Sequence, residues 1–361
     1  MITLKEIAEE AGVSMTTVSN VLHGKAKKVS PGTEEKIKRL LIKYNYIPRF
    51  GLNALTNKGS KIISILVNTP DFVERTPYER PFYGNIIGEL ESKLRKRGYY
   101  IMLFSSKNIP EIMKMTMGWN VDGIISISIP AKYYKQIGKQ TGKPIVSIDM
   151  NEYDPAKIAG CYNVTSRDYE GGKAMAGYLL DQGIEKIVYL ANTKSGADYC
   201  RYLGASETYR ERMGKKAELE IRMLGRTYDE RVLAYDDMRR LMGRRAALFF
   251  STDFNAVEAI GYFQRRQIHV PEDISVVGFD DDVYARLSNP RLTTVSVDVS
   301  QKAELAVNLL MRLLDGEEIR ETEPKIDVKI AERESVLRES AEGPLTAGTA
   351  GRKNSETDRV S

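Results

Sequence analysis

Cysteine is nearly missing from this chain: Cys161 and Cys200 are the only two in 361 residues. That is too few for a disulfide framework and the wrong spacing for a CxxC pair. Histidine is as scarce. His23 and His269 stand far apart, so no HExxH zinc site and no histidine relay for hydrolysis can be written. No GxGxxG follows the first apolar strand and no GxxxxGK[ST] occurs, which removes the phosphate cradles of dinucleotide and P-loop enzymes. We therefore expect no metal, no cofactor and no enzymatic activity. No apolar run reaches the eighteen or so residues of a membrane span, and the first residues carry no signal-peptide core. The expectation is a cytoplasmic protein without membrane contact, rather than a secreted solute-binding one.

Charge is present but unevenly placed. Residues 1–60 hold ten Lys and Arg against five Glu, while the rest of the chain has forty-four of each sign, so the whole excess of +5 lies at one end. A basic segment beside a neutral body suits phosphate contact by one part only. The length exceeds one compact core and predicts two or three domains.

The basic segment reads as helices. Ile2 to Ala11 and Met15 to Leu22 flank the tight bend Gly12-Val13-Ser14. Thr3 is a good N-cap, and Glu6 three residues later completes a capping box. Ile7, Ala8, Ala11, Val18 and Val21 recur at helical spacing and can pack the pair, and Gly12 sits where a missing Cβ helps the bend. The second helix turns Ser14, Met15, Thr16, Thr17, Ser19 and Asn20 outward. Short polar groups of this kind reach base edges in a major groove without repelling phosphate. A basic loop (Lys25, Lys27, Lys28) leads to Ser30-Pro31-Gly32-Thr33, which opens a third helix through Tyr44, and Asn45-Tyr46-Ile47-Pro48 ends it.

Arg49 to Lys61 then forms a linker with Leu52, Ala54 and Leu55, too short to hold a helix alone in water. Beyond it, short apolar strands alternate with amphipathic helices. Ile62–Val67, Tyr100–Phe104, Gly123–Ile127 and Ile145–Asp149 make one strand set; Ile187–Ala191, Leu248–Ser251 and Ser275–Phe279 belong to a second. The intervening helices include Asn85–Arg97, Gly171–Gln182, Ala256–Arg266 and Gln301–Leu314. This pattern predicts an α/β body of two lobes with parallel sheets flanked by helices. Residues 338–361 lack aromatics and periodicity and read as a disordered tail.

The string TLKEIAEEAGVSMTTVSNVL, then Val29-Ser30 with Thr33, then Asn45-Tyr46-Ile47-Pro48, resembles the DNA-binding headpiece of the lactose-repressor (LacI/GalR) family. The resemblance runs on to about Leu337, with one residue added in the basic loop. It implies a helix-turn-helix headpiece over 1–48, a hinge over 49–60, and a periplasmic-binding-protein type I body over 61–337 that binds an effector and forms a homodimer. It implies contacts to double-stranded operator DNA from Thr3, Leu4, Ser14, Met15, Thr16, Thr17, Ser19, Asn20, His23, Lys28, Ser30, Thr33 and Tyr46. In the hinge, Asn53 and Leu55 would add to these, Leu55 matching the leucine that wedges into the minor groove. Gly51, Leu52 and Asn53 depart from the family's usual hinge pattern.

Ligands in open α/β sheets bind beyond the carboxyl ends of strands. Asp149, Thr252, Asp253 and Asp280 stand at such ends, and Arg201 in the segment CRYLGA matches a ligand-binding arginine of the family. Phe82 and Tyr83 match an aromatic pair that can wall a sugar ring; Ser195 and Tyr228 fall where the alignment drifts. Paired carboxylates and a guanidinium suit a small molecule with several hydroxyls. The implied function is a ligand-responsive transcriptional repressor with a sugar or sugar derivative as effector. A corepressor such as a purine is the alternative occupant, and an enzyme or a solute-binding protein on the same fold is the alternative class.

Overall fold

Apolar periodicity becomes two compact units, residues Met1–Ser60 and Lys61–Ser361, in a computed structural model of the chain. The structure describes residues 2–22, 29–44, 46, 59–69, 76–243 and 245–338. The expected contacts His23, Lys28, Asn53 and Leu55, the greater part of the hinge, and the tail beyond Arg338 lie outside the described residues.

Among its described residues the first unit holds three helices: α1 (Leu4–Ala11), α2 (Met15–Leu22) and α3 (Pro31–Lys43). Thr3 and Glu6 form the reciprocal capping box, with the Thr3 amide donating to Glu6 over 2.6 Å. Gly12 closes α1 in the left-handed region at φ 73°, a conformation that costs other residues about 1–2 kcal/mol. Ser30 caps α3 and Pro31 stands at its first turn. The helix stops at Lys43, and Tyr44, expected inside it, is the C-cap. Seven side chains (Ile7, Ala8, Ala11, Val18, Val21, Ile37 and Leu40) form the core, and the Lys36 ammonium caps the open end of α1 at the Ala11 carbonyl, 3.0 Å away.

Among its described residues the second unit holds two six-stranded sheets. The strands are β1 (Ile62–Asn68), β2 (Tyr100–Ser106), β3 (Gly123–Ile127), β4 (Ile145–Ile148), β5 (Asn163–Ser166), β6 (Lys186–Ala191), β7 (Glu220–Met223), β8 (Ala246–Phe250), β9 (Ser275–Asp280), β10 (Thr293–Val297), β11 (Lys325–Ile326) and β12 (Val328–Ala331). One sheet runs β11-β5-β4-β3-β1-β2 and is parallel throughout. The other runs β12-β10-β9-β8-β6-β7 and is parallel except for β12 against β10. Five strands, β5, β7, β10, β11 and β12, were absent from the sequence-based expectation. β5, β7, β11 and β12 span only two to four residues, and β10 carries polar Thr293, Thr294 and Ser296. The four expected helices start earlier than periodicity suggests, at Pro81, Asp168, Asp253 and Val299. Their first turns mix Pro, Gly and Asp with the aromatic residues Phe82, Tyr83, Tyr169 and Phe254.

The chain crosses between the lobes three times: from β5 to the helix Asp168–Asp181, from β10 to the helix Val299–Leu314, and from β11 to β12. After the second crossing, Ala303, Ala306, Val307 and Leu310 pack with Ile63, Ile65 and Val146 of the first lobe. In each sheet the strand order reverses once, between β1 and β3 and between β6 and β8, and such switch points open a crevice at the carboxyl ends of the strands.

Candidate functional site

Two surfaces merit attention. On the first unit, Ser14, Met15 and Thr16 are exposed and Thr17, Ser19 and Asn20 are half-exposed on α2. Ser14 Oγ receives the Thr17 amide over 3.1 Å and so starts the helix, and the two hydroxyls bond each other. Ser30 and Thr33 form a similar pair at the start of α3. Thr3 is exposed at its cap, while Leu4 and Tyr46 lean on the core. The outcome is a row of short polar side chains on a helix held from behind by Val18 and Val21.

The second surface is a cleft between the two lobes, with a cavity of about 160 Å³. One buried water occupies about 10–15 Å³ on this measure, so the space takes a ligand of roughly ten to sixteen such groups. From the first lobe come Asn68, Arg80, Phe82, Tyr83, Ser128, Asp149 and Asn151; from the second, Asn192, Ser195, Asp198, Arg201, Thr252, Phe254, Asp280 and Asp282. Three of these hold left-handed backbone at strand ends: Ser128 at φ 57°, Asp149 at 47° and Asp280 at 124°. Non-glycine residues in such regions persist where the surroundings over-determine them, and they cluster at binding sites.

Arg201 is the best-held group. Its Nε donates to Asp168 over 2.8 Å, one terminal nitrogen donates to the Ser251 carbonyl over 2.5 Å, and the other lies 3.5 Å from Asp280. The guanidinium also stacks on Phe279 with 3.6 Å to the ring centroid. Burial opposes its charge, but Asp168, Asp280 and Asp198 overcome this and hold its pKa above the ordinary value. Asp280 is pushed well up by burial, with Arg201 pulling the other way. Asp149 is likewise raised by burial and opposed by Lys302, whose ammonium lies 2.8 Å from both its oxygens.

The rest of the wall is networked. Asp198 accepts from the Asn192 amide and the Ser251 hydroxyl, each over 3.0 Å. Ser195 donates across the lobes to the Asn151 carbonyl over 3.3 Å, and Arg80 of one lobe lies over the Phe254 ring of the other at 5.3 Å. Phe82 and Tyr83 meet edge to face in the first turn of the helix Pro81–Lys96, and burial raises the Tyr83 phenol. The Thr252 hydroxyl is shut from solvent with no hydrogen-bond partner among the described residues. A group in that condition costs about 1–3 kcal/mol unless something meets it.

Of the nine effector residues expected from sequence, seven line this cleft: Phe82, Tyr83, Asp149, Ser195, Arg201, Thr252 and Asp280. Two do not. Asp253 is fully buried and turns into the sheet, accepting from the Asp282 amide at 2.9 Å and the Thr294 hydroxyl at 2.5 Å. Tyr228 stands at the start of the helix Tyr228–Asp237, where its hydroxyl accepts from Arg265 over 2.7 Å. Asn68, Ser128 and Asn192 were missed although they follow apolar strands just as Asp149 does, so the strand-end rule could have found them. Arg80, Asp198, Phe254 and Asp282 carry no local signal, since each reaches the cleft through long-range packing, and Lys302 stands behind the cleft on Asp149.

Residues 3–49 match the family described as bacterial regulatory proteins, lacI family, and residues 176–336 match the periplasmic binding protein-like domain. The HTH-type transcriptional repressor PurR of Mannheimia succiniciproducens is 28% identical over 352 residues, 94% of this chain and 99% of that protein. The protein of the same name from Pasteurella multocida is 29% identical over 358 residues, 96% of this chain and 100% of its own. Among solved structures, the lac repressor dimer bound to operator and the anti-inducer ONPF aligns with a TM-score of 0.77 at 21% identity, covering 93% of this chain and 99% of that one. The transcriptional regulator CelR–cellobiose complex aligns with a TM-score of 0.68 at 23% identity, covering 93% and 100%. At such identities the structural likeness carries the fold alone.

Proposed function

The chain belongs to the lacI family of bacterial regulatory proteins, and from that premise we propose how its two surfaces work together in a ligand-responsive transcriptional repressor. The headpiece, residues 1–48, reads double-stranded operator DNA with α2 in the major groove. The hinge, residues 49–60, follows it, and Leu55 wedges into the minor groove. The body forms a homodimer and takes a small molecule in the interlobe cleft. The protein works in the cytoplasm by binding, without chemistry on its ligand.

One observation carries the effector reading: polar groups from the carboxyl ends of both sheets converge on one small cavity, three of them on left-handed backbone. Strand-end Asp280 and Asp149, held by Arg201 and Lys302, accept from ligand hydroxyls, and Phe82 gives an apolar wall. That set fits a sugar or sugar derivative. A purine corepressor is the second reading, favoured by the flat walls of Phe82, Tyr83 and Phe254. Because ligand and DNA act on one equilibrium, DNA must change ligand affinity by the same factor that ligand changes DNA affinity.

The test is operator affinity by fluorescence anisotropy, using a duplex selected from a random pool, with sugars and purines added in turn. Asn20→Ala should weaken the selected duplex by about 1–3 kcal/mol and relax one base position, since an amide can pair with adenine N6 and N7. Equal losses on selected and random DNA would remove α2 from base reading. A ligand panel without effect on DNA affinity would remove the sensor role.

A further inference from the structure

The helix Val299–Leu314 turns Ala303, Ala306, Val307 and Leu310 into the core of the first lobe. Lys302 lies on the same face, one turn before Ala306, and is 1% exposed. An apolar residue there would pack without the desolvation cost of a buried ammonium. Among the described residues the charge has one close carboxylate partner: Nζ lies 2.8 Å from each oxygen of Asp149, and 5.6 Å from the centre of the Phe82 ring. Asp149 in turn lines the cleft on left-handed backbone at the end of β4.

Other charges also face that carboxylate. Arg201 on the helix Gly196–Met213 favours its ionised form, and Asp168 at the first crossing opposes it. Tyr83 approaches from the helix Pro81–Lys96, and Asp280 from β9 feels Lys302 as well. Arg201 is already shared between Asp168 and Asp280. Among the described residues, the cation given wholly to Asp149 is Lys302.

We propose that Lys302 is a positioning residue of the cleft, which keeps Asp149 ionised and fixes the direction of both its oxygens as acceptors. Its part in reading an effector rests on the function proposed above; its hold on the Asp149 charge does not.

The experiment compares the full chain as wild type, Lys302→Met, Lys302→Arg and the double variant Asp149→Asn/Lys302→Met by thermal unfolding from pH 5 to 8.5. Without its lysine the buried carboxyl has a folded-state pKa further above the unfolded one. Stability is then greatest at low pH and is lost as pH rises. Lys302→Met should melt below wild type by roughly 5–8 °C at the alkaline end, with the gap at least halved at the acid end. The double variant should run parallel to wild type at every pH, and Lys302→Arg should recover part of the loss. A Lys302→Met gap that is constant with pH overturns the proposal, because packing alone would then explain the residue. A double variant that keeps the Lys302→Met slope overturns it too. Should Lys302→Met fail to fold at neutral pH, folding of the double variant supports the proposal and failure of both overturns it. Failure of the sensor reading would appear as absent ligand effects on DNA binding and would leave these melting profiles unchanged.

Discussion

Asp149 and Asp280 occupy the same place in two sheets of the same order. Each follows or ends the third strand from one edge, β4 or β9, and each has positive φ. Asn68 and Asn192 correspond in the same way after β1 and β6. The likeness ends at the partners. Asp280 shares an arginine that is also clamped by Asp168, the Ser251 carbonyl and the Phe279 ring, all within the second lobe. Asp149 depends on a lysine delivered by the helix that follows the second crossing. Topology therefore supplies the slot for a cleft-facing carboxylate, and the neighbours decide how firmly its charge is set. The second lobe carries a shared network, the first a single pair.

The largest effect expected from this difference is at Arg201. Arg201→Ala leaves Asp168 and Asp280 buried without their cation, a change that costs about 3–5 kcal/mol in comparable sites. Urea unfolding of the body should show it as a lower midpoint with an unchanged slope. Response to any identified effector should vanish, while DNA affinity without effector stays near wild type if the ligand is an inducer. A loss under about 1 kcal/mol would mean the network is no stronger than the single pair, and the contrast between the lobes would fail.

The second effect is one of pH. Asp253 has no counterpart in the first lobe, where Ser128 and Ile129 follow β3. Burial and the nearby Asp282 raise its pKa to about 7. A folded-state value above the unfolded one gives stability that is complete below about pH 4 and lost as pH rises toward 7. The contribution is on the order of 2–4 kcal/mol over that span. Asp253→Asn mimics the protonated acid, since its amide can donate to Thr294 while its carbonyl accepts from the Asp282 amide. The variant should therefore flatten the pH dependence of the urea midpoint between pH 4 and 7. A slope equal to wild type would show that Asp253 is ionised throughout.

These residues mark where sequence reading succeeds and where it stops. The capping box of Thr3 and Glu6, the bend at Gly12 and the spacing of Ile7, Ala8, Val18 and Val21 are local, so the headpiece was legible nearly helix by helix. Asp149, Arg201 and Asp280 were legible through strand ends and the family resemblance. Asp253 misled because a strand-end carboxylate can turn toward ligand or into the sheet, and Thr294, forty-one residues on, decides which. Lys302 is separated from Asp149 by 153 residues, and its helical position reads as one more place on an apolar stripe. Pairings of that range have no signature in periodicity.

A smaller effect tests how the second lobe builds its network. The helices Asp168–Asp181 and Gly196–Met213 meet at two glycines. A Cβ on Gly172 would lie 2.0 Å from the Arg201 carbonyl oxygen, and one on Gly204 would lie 1.9 Å from that of Tyr169. Gly172→Ala must push the helices apart at Arg201 itself. Overpacking of this kind costs about 1–3 kcal/mol. It should also shift the effector midpoint without touching any ligand-lining side chain. Gly177→Ala on the same helix is the control: its Cβ would sit 3.8 Å from Thr208, an ordinary contact, and helix propensity should make it neutral or stabilising by up to about 1 kcal/mol. Calorimetric melting of both variants decides whether close approach or general helix perturbation is at work.

The smallest effect concerns the crossings that join the lobes. Arg167 at the first crossing bonds Asp327 at the third over 2.7 Å, with side chains 48% and 90% exposed. Exposed pairs of this kind contribute about 0–1 kcal/mol, so Asp327→Asn should barely move the melting temperature. The pair still ties two of the three strands about which the lobes must turn if ligand changes their angle. A ligand-driven rotation that stretches or relaxes the pair gives it unequal energy in the two states, and only such a difference can shift the equilibrium. Asp327→Asn should then move the effector midpoint by up to about fivefold with little change in stability, an upper bound set by 1 kcal/mol. High salt should imitate the substitution in the wild type and do nothing further to the variant, because an exposed pair is screened. A midpoint that the substitution leaves unchanged at low salt would mean the first and third crossings move as one piece, and the difference between the lobes would lie wholly within the cleft.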